Sequence, residues 1–199
     1  MRLVLASTSA ARQAMLTAAG VAFEPVAPNI DEAEMKRALL QQGANVSTLA
    51  VALAEAKAVR ISRQLGPTVL VLGADQILED ANGVALDKPE NSETAAKQLR
   101  ALRGSVHRLI STAVVAENGQ PVWRATDIAR LTVRNFSDSF LEAYLDREGE
   151  ALFGCVGSYR LEALGAQLFS HIEGDYFTIL GLPLLPVLDY LRRRAVIPT

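Results

Sequence analysis

The sequence predicts an α/β protein built on a mixed, twisted sheet with flanking helices. Three observations carry that expectation. Thr68-Val-Leu-Val-Leu-Gly73 is an unbroken apolar run, the mark of a short strand covered on both faces. Leu3-Val4-Leu5-Ala6 is a second such run, and it passes through Ser7-Thr8-Ser9 into a helical stretch. Asn118-Gly119 sits between two long strand-like segments, a strong hairpin signal that adds antiparallel pairing. An order that mixes strands, helices and a hairpin in this way belongs to the α/β class.

In chain order, residues 2–6 read as a strand and 9–19 as a helix stopped by Gly20. Residues 21–26 form a second strand, and Pro28-Asn-Ile-Asp31-Glu32 a loop with two acids. Residues 47–65 form a long alanine-rich helix, followed by the buried strand 68–73. Asp80-Ala-Asn82-Gly83 is a turn. Residues 92–103 form a helix, and 107–116 and 122–133 flank the hairpin turn. Residues 137–146 form a helix capped by Ser137. Residues 166–172 and 176–180 read as strands, and 183–194 as a closing helix with Pro183 in its first turn and arginines in its last. No repeat, low-complexity tract or linker interrupts the chain, so 1–199 reads as a single domain.

Half of the 199 residues are hydrophobic, enough to bury a real core. The net charge is -2, so no basic excess speaks for a nucleic-acid polymer, and any polyanionic partner is small and locally held. The single cysteine, Cys155, excludes an internal disulfide framework and argues for a reducing compartment. Two histidines, His107 and His171, leave no Cys/His zinc set. A metal, if used, is a hard cation held by carboxylate and phosphate oxygens. The first residues run straight into the Ser/Thr motif rather than a secretory leader, and no apolar stretch is long enough to span a bilayer. The expectation is a cytoplasmic protein with no membrane partner.

Four places carry candidate chemistry. Ser7, Ser9 and Arg12 bring hydroxyls, free helix N–H groups and a guanidinium to one helix start, an arrangement suited to phosphate. Equally, Ser9 reads as a plain N-cap and Arg12 as a solvated first-turn side chain. Asp75, with Gln76 beside it, follows the buried strand, where α/β sheets place ligands; the alternative is a loop aspartate. Lys57 falls within the apolar arc formed by Ala50, Leu53, Ala54, Ile61 and Leu65, while Glu55, Arg60 and Arg63 fall outside it. It either snorkels to the rim or delivers a cation to a buried anion. Lys88 is pinned beside Pro89, which limits its backbone. Asp31 and Glu32 either supply a metal carboxylate or solvate a loop. The P-loop, dinucleotide and nucleophile-elbow signatures are all missing. Asp75 has no second aspartate two residues on, which weakens a phospho-aspartate phosphatase reading.

Taken together, Leu-Ala-Ser-Thr-Ser-x-x-Arg12, Ala54-Glu-Ala-Lys57-Ala, Gly73-Ala-Asp75-Gln76, Lys88-Pro89 and Gly181-Leu-Pro183-Leu resemble the Maf family of nucleoside triphosphate pyrophosphatases. The likeness runs from Leu3 to about Leu191 and includes Leu102-x-Gly104, His107 and Ser111-Thr-Ala-Val114. It implies hydrolysis of a nucleoside triphosphate to a monophosphate and pyrophosphate, in the house-cleaning of nucleotide pools. It also implies two lobes around a deep cleft, a divalent cation (Mg2+ or Mn2+) and a homodimer. By position, Asp75, Lys57 and Lys88 match the catalytic set, and Ser7, Ser9 and Arg12 the phosphate-binding opening. Glu32 and Asp75 match the metal carboxylates.

Ala11, Gln76 and Glu162 match the positions that set base choice. Gln76, Glu162 and Gly157-Ser158-Tyr159-Arg-Leu-Glu162 resemble the branch acting on 7-methylguanosine triphosphate rather than the dTTP/UTP branch. A carboxylate only accepts hydrogen bonds, so Glu162 suits the two adjacent donors of a guanine edge; its plain alternative is a loop carboxylate near Arg160. Ala11 departs from both branches, lacking the arginine of one and the stacking tryptophan of the other. The rival expectations are a dTTP/UTP-preferring enzyme, a nucleotide-binding regulator of septum formation, and a simple phosphatase.

Overall fold

The computed structural model describes residues 2–199. It contains a mixed α/β fold whose sheet has the strand order β2-β1-β3-β5-β6-β7, with β4 paired to β3. The strands are β1 (Arg2–Ala6), β2 (Glu24–Pro25), β3 (Val69–Glu79), β4 (Ala85–Leu86), β5 (Val106–Glu117), β6 (Gln120–Val133) and β7 (Phe169–Glu173). The helices are α1 (Ala10–Ala18), α2 (Glu32–Gln41), α3 (Val46–Leu65), α4 (Ser92–Leu102), α5 (Asp138–Glu148), α6 (Tyr176–Ile179) and α7 (Leu184–Arg193). Strand β1 runs parallel to β2 and β3, whereas β3–β4 and β6–β7 are antiparallel. Among the described residues, no helix is long and apolar enough to cross a membrane.

The chain folds as two compact units. One combines the segment ending at Gln76 with Ser111–Asp127 and Tyr176–Thr199; the other combines Ile77–Ile110 with Ile128–Asp175. Strands β3, β5 and β6 each cross from one unit into the other.

In the first unit, the unbroken apolar runs have the predicted cause. Leu3, Leu5, Leu70 and Leu72 pack with Met15 and Leu16 of α1 and Val187, Tyr190 and Leu191 of α7. The alternate residues Val4, Ala6, Val69 and Val71 pack with Ile61 of α3 on the other face. A strand with helices on both faces has no polar side to show, so its periodicity vanishes. Helix α3 comes unusually close to the sheet. A β-carbon at Gly73 would stand 2.4 Å from the Ala54 carbonyl oxygen and 2.7 Å from the Ala58 nitrogen. Gly73→Ala is therefore expected to push α3 off β3 and cost about 1–3 kcal/mol of stability. Denaturant unfolding checks this; an unchanged midpoint would mean the helix shifts without cost.

In the second unit, α4 packs on α5 and on the 3-10 helix Gly149–Gly154. His107 is buried between Tyr159 and Phe169, with its Nε2 2.7 Å from the Tyr159 hydroxyl. Burial pushes the imidazole pKa down to about 4, so this ring is a neutral core group at physiological pH.

Several elements differ from expectation. Residues 176–180 form the short helix α6 rather than a strand; Tyr-Phe-Thr-Ile-Leu has no polar alternation to separate the two. Residues Leu164–Leu168 form a 3-10 helix, and the strand starts only at Phe169. The strand expected over 21–26 is reduced to Glu24–Pro25. Helix α2 was not anticipated; none of its residues is fully buried, and its apolar face is reduced to the half-buried Met35 and Leu39. Pro183 is the N-cap of α7, and Pro186 lies in its first turn. The hairpin stands as read, with Asn118 at φ 48° and Gly119 at φ 73°, the two positive angles of a type I′ turn.

Candidate active site

Asp75 does not follow the strand but lies inside it, because β3 continues to Glu79. What ends at this point is its neighbour. The parallel register runs from Arg2↔Val69 to Ala6↔Gly73, and there β1 stops. Asp75 therefore stands just past the carboxyl end of β1, where the chain turns through Ser7 into α1. The topology sets the aspartate and the hydroxyl motif side by side.

Ser9 is the N-cap of α1, its Oγ accepting from the Arg12 backbone nitrogen at 3.4 Å. Arg12 is no solvated side chain. It is buried, its Nε donates to the Gly181 carbonyl at 2.8 Å, and its Nη1 donates to Ser7 Oγ at 3.3 Å. Burial lowers its pKa, while the charges of Asp75 and Glu32 pull it back up. Ser7 is buried as well, and Ala11 is half-buried in the first turn of the same helix.

Lys57 does not snorkel. Only 5% of the residue is exposed, and its Nζ lies 2.7 Å from Asp75 Oδ1 and 3.0 Å from Glu32 Oε1. Asp75 is equally buried, and its second oxygen, Oδ2, has no hydrogen-bond partner. Burial pushes the Asp75 carboxyl pKa up, against the opposing pull of Lys57 and Arg12. The close approach of α3 at Gly73 is what lets Lys57 reach across. The signal for this lay in a glycine beside an alanine-rich helix, Ala54 and Ala58 being the residues that permit the contact.

Asp31 caps α2, its side chain accepting from the Glu34 nitrogen at 2.8 Å. That leaves Glu32, at the first position of α2, facing Lys57. Among the described residues no three His, Cys, Asp or Glu side chains gather into a metal cage. Glu32 and the orphaned Oδ2 of Asp75 are hard oxygen donors, and they fit a Mg2+ or Mn2+ ion that takes its other ligands from water and phosphate.

Gln76 is held tightly. Its Nε2 donates to the carbonyls of Thr178 at 2.9 Å and Ile179 at 3.0 Å, and lies 3.0 Å from Ser111 Oγ. Ser111, Thr178 and Asp127 complete this polar cluster; Thr178 and Asp127 had no distinguishing sequence signal, and Ser111 lay in the family-like segment without an assigned role.

Lys88 and Glu162 belong to the second unit. Both are exposed, and both act electrostatically on the half-buried Cys155 thiol, whose pKa rises through burial and then Glu162, with Lys88 opposing. The loop bearing Lys88 and the segment leading to Glu162 share one anchor. Gln98 on α4 donates to the Asp87 carbonyl at 2.8 Å and accepts from Ser158 Oγ at 2.7 Å. Arg160 is not reserved for Glu162, since its guanidinium pairs with the buried Glu148 at 2.8 Å.

The α/β fold thus gathers the buried Ser7 and Arg12 at one turn and sets the Lys57–Asp75 pair beside it. The sequence matches the family described as Maf-like protein over residues 2–194, and the chain belongs to that family. It is 51% identical to the "Nucleoside triphosphate pyrophosphatase" of Caulobacter vibrioides, over 94% of this chain and 93% of that one. The protein of the same name from Sphingopyxis alaskensis is 46% identical over the full length of both. Among solved structures, a HAM1 protein from Coxiella burnetii aligns with 68% of this chain and 74% of its own, at a TM-score of 0.45 and 16% identity.

Proposed function

We propose that the protein hydrolyses a nucleoside triphosphate to the monophosphate and pyrophosphate. The observation that carries this reading is the buried Lys57–Asp75 pair, with one buried aspartate oxygen left without a hydrogen-bond partner beside the Arg12 and Ser7 turn. The names of the relatives point the same way.

In this reading the oxygen of a water molecule attacks the α-phosphorus. Its proton passes to the open Oδ2 of Asp75, and the bond from the α-phosphorus to the α–β bridging oxygen breaks to release pyrophosphate. A carboxylate oxygen has spare lone pairs for this proton, and a positioned base contributes about 10²–10⁴-fold. Lys57 orients the carboxylate through Oδ1. Arg12 and the α1 N-terminus neutralise phosphate charge, and Lys88 is the second lysine assigned to the leaving group. Glu32 and Asp75 would hold the divalent cation, which when bound supplies Lewis-acid charge neutralisation.

The base we assign is a purine of guanine type, 7-methylguanine included, read by Glu162 through two accepted hydrogen bonds. Ala11 offers no aromatic face for a cationic base to stack on. Pyrophosphate release from a panel of canonical and methylated triphosphates tests the reaction. Orthophosphate instead of pyrophosphate would indicate a phosphatase, and binding without turnover a regulator. Glu162→Gln is expected to move the kcat/KM ratio towards UTP or dTTP by about tenfold, the worth of one well-placed hydrogen bond. An unchanged ratio would remove Glu162 from base selection.

A further inference from the structure

We propose that Gln76, Ser111 and Thr178 form a positioning strut that sets the Arg12 guanidinium, and that Gln76 acts through this strut rather than on a nucleotide base. The inference rests on the reading of Arg12 as a phosphate ligand and goes beyond it.

The strut converges on one carbonyl. Thr178 O accepts from Gln76 Nε2 at 2.9 Å, from Ser111 Oγ at 2.7 Å and from the Gly181 backbone nitrogen at 3.1 Å. Gly181 then offers its own carbonyl to Arg12 Nε at 2.8 Å. The anchored oxygen and the arginine are thus one residue apart in the hydrogen-bond chain, although Arg12 and Gly181 are 169 positions apart in sequence. The far side is tied down too, because Thr178 Oγ1 donates to Asp127 Oδ2 at 2.7 Å. Ser111 and Thr178 are fully buried. A buried polar cluster of this kind admits one arrangement, since a slipped segment would strand polar groups without water.

The orientation of the Gln76 amide is not in question. Its nitrogen faces two carbonyl oxygens, which only a donor satisfies. Both of its N–H bonds are therefore spent within the fold. The oxygen Oε1 lies on the Gly181 side: a β-carbon placed on Gly181 would stand 3.6 Å from it and 3.5 Å from Arg12 Nη2. What Gln76 presents is an acceptor directed to the same backbone position that holds Arg12.

The test is steady-state pyrophosphate release by the full-length enzyme with GTP and UTP, alongside thermal melting. Gln76→Leu is expected to raise KM by about tenfold for both nucleotides, the scale of one hydrogen bond to a charged group, with a smaller change in kcat. The GTP/UTP ratio of kcat/KM stays constant. Thr178→Val, which keeps the shape and removes the hydroxyl, is expected to act in the same direction, and Thr178→Ser to restore the KM. A change in KM for one base alone in Gln76→Leu would overturn the proposal in favour of direct base reading. Arg12→Ala separates the two layers of the argument. A raised KM there, with no effect from Gln76→Leu or Thr178→Val, overturns the strut alone; an unchanged KM overturns the phosphate reading and the strut with it. Should Gln76→Leu fail to fold, the valine and serine variants of Thr178 carry the test.

Discussion

Asp75→Asn is expected to lower turnover by about 10²–10⁴-fold, the usual contribution of a positioned general base, while nucleotide binding survives. Asparagine keeps an oxygen for Lys57 but cannot take a proton. The binding groups Ser7 and Arg12 are untouched, and one negative charge near the phosphates is lost. Pyrophosphate release paired with calorimetric binding checks both halves, and undiminished turnover would place the base elsewhere. The pH profile gives a second reading. Burial raises the Asp75 carboxyl above its ordinary 3.8, against the pull of Lys57 and Arg12, so with no cation bound the acidic limb set by its deprotonation lies above that value. Activity then rises as pH climbs through the folded-state pKa. Stability runs the other way for this one group. A raised carboxyl pKa favours the fold below 3.8, and that contribution is lost as pH rises through the folded value.

Lys57→Met carries the second large effect. It removes the cation that lies 2.7 Å from Asp75 but fills the same channel with an apolar chain. Breaking a buried pair by deleting one member costs about 3–5 kcal/mol when the survivor stays charged. Asp75 has an escape, which is to take up a proton. The acidic limb is therefore expected to move to higher pH, and turnover at neutral pH to fall. The loss of thermal stability is expected to be small at low pH, where Asp75 is protonated with or without Lys57, and large at neutral pH. Adding Asp75→Asn should recover part of that loss, because the unpaired carboxylate is removed while the buried Arg12 keeps Glu32 as a counter-charge. Melting curves of the single and double variants across pH test this. A stability loss independent of pH would mean that Lys57 contributes packing rather than charge.

The candidate site was legible in the sequence to an unequal degree. Ser7, Ser9 and Arg12 stood out because a strand ending in hydroxyl residues before a helix has few local explanations. Lys57 stood out because a cation within an apolar arc needs one. For both, local sequence left two readings open, and burial decided between them. Arg12 is not solvated, and Lys57 does not snorkel. Thr178 and Asp127 carried no signal, and Ser111 stood only within the family-like segment with no role, since a serine or threonine in an apolar stretch looks the same whether it holds a distant carbonyl or merely caps its own backbone. The misread segments share a related cause. The 176–180 stretch is short and nearly all apolar, and α2 buries no residue fully, with only Met35 and Leu39 as half-buried apolar side chains. Neither offers the periodicity that reports which face meets a core.

By itself, then, the sequence determined the α/β class, the covered strands β1 and β3, the hairpin and the residue types gathered at the Ser7–Arg12 turn. These follow from local patterns of apolar and turn-forming residues. The tertiary structure alone decided that Asp75 keeps one oxygen open, that Lys57 reaches it, and that both donors of Gln76 are spent on segment 178–181. Each depends on burial and on partners brought from remote parts of the chain, and burial is what turns an ordinary carboxylate, amide or guanidinium into a poised one.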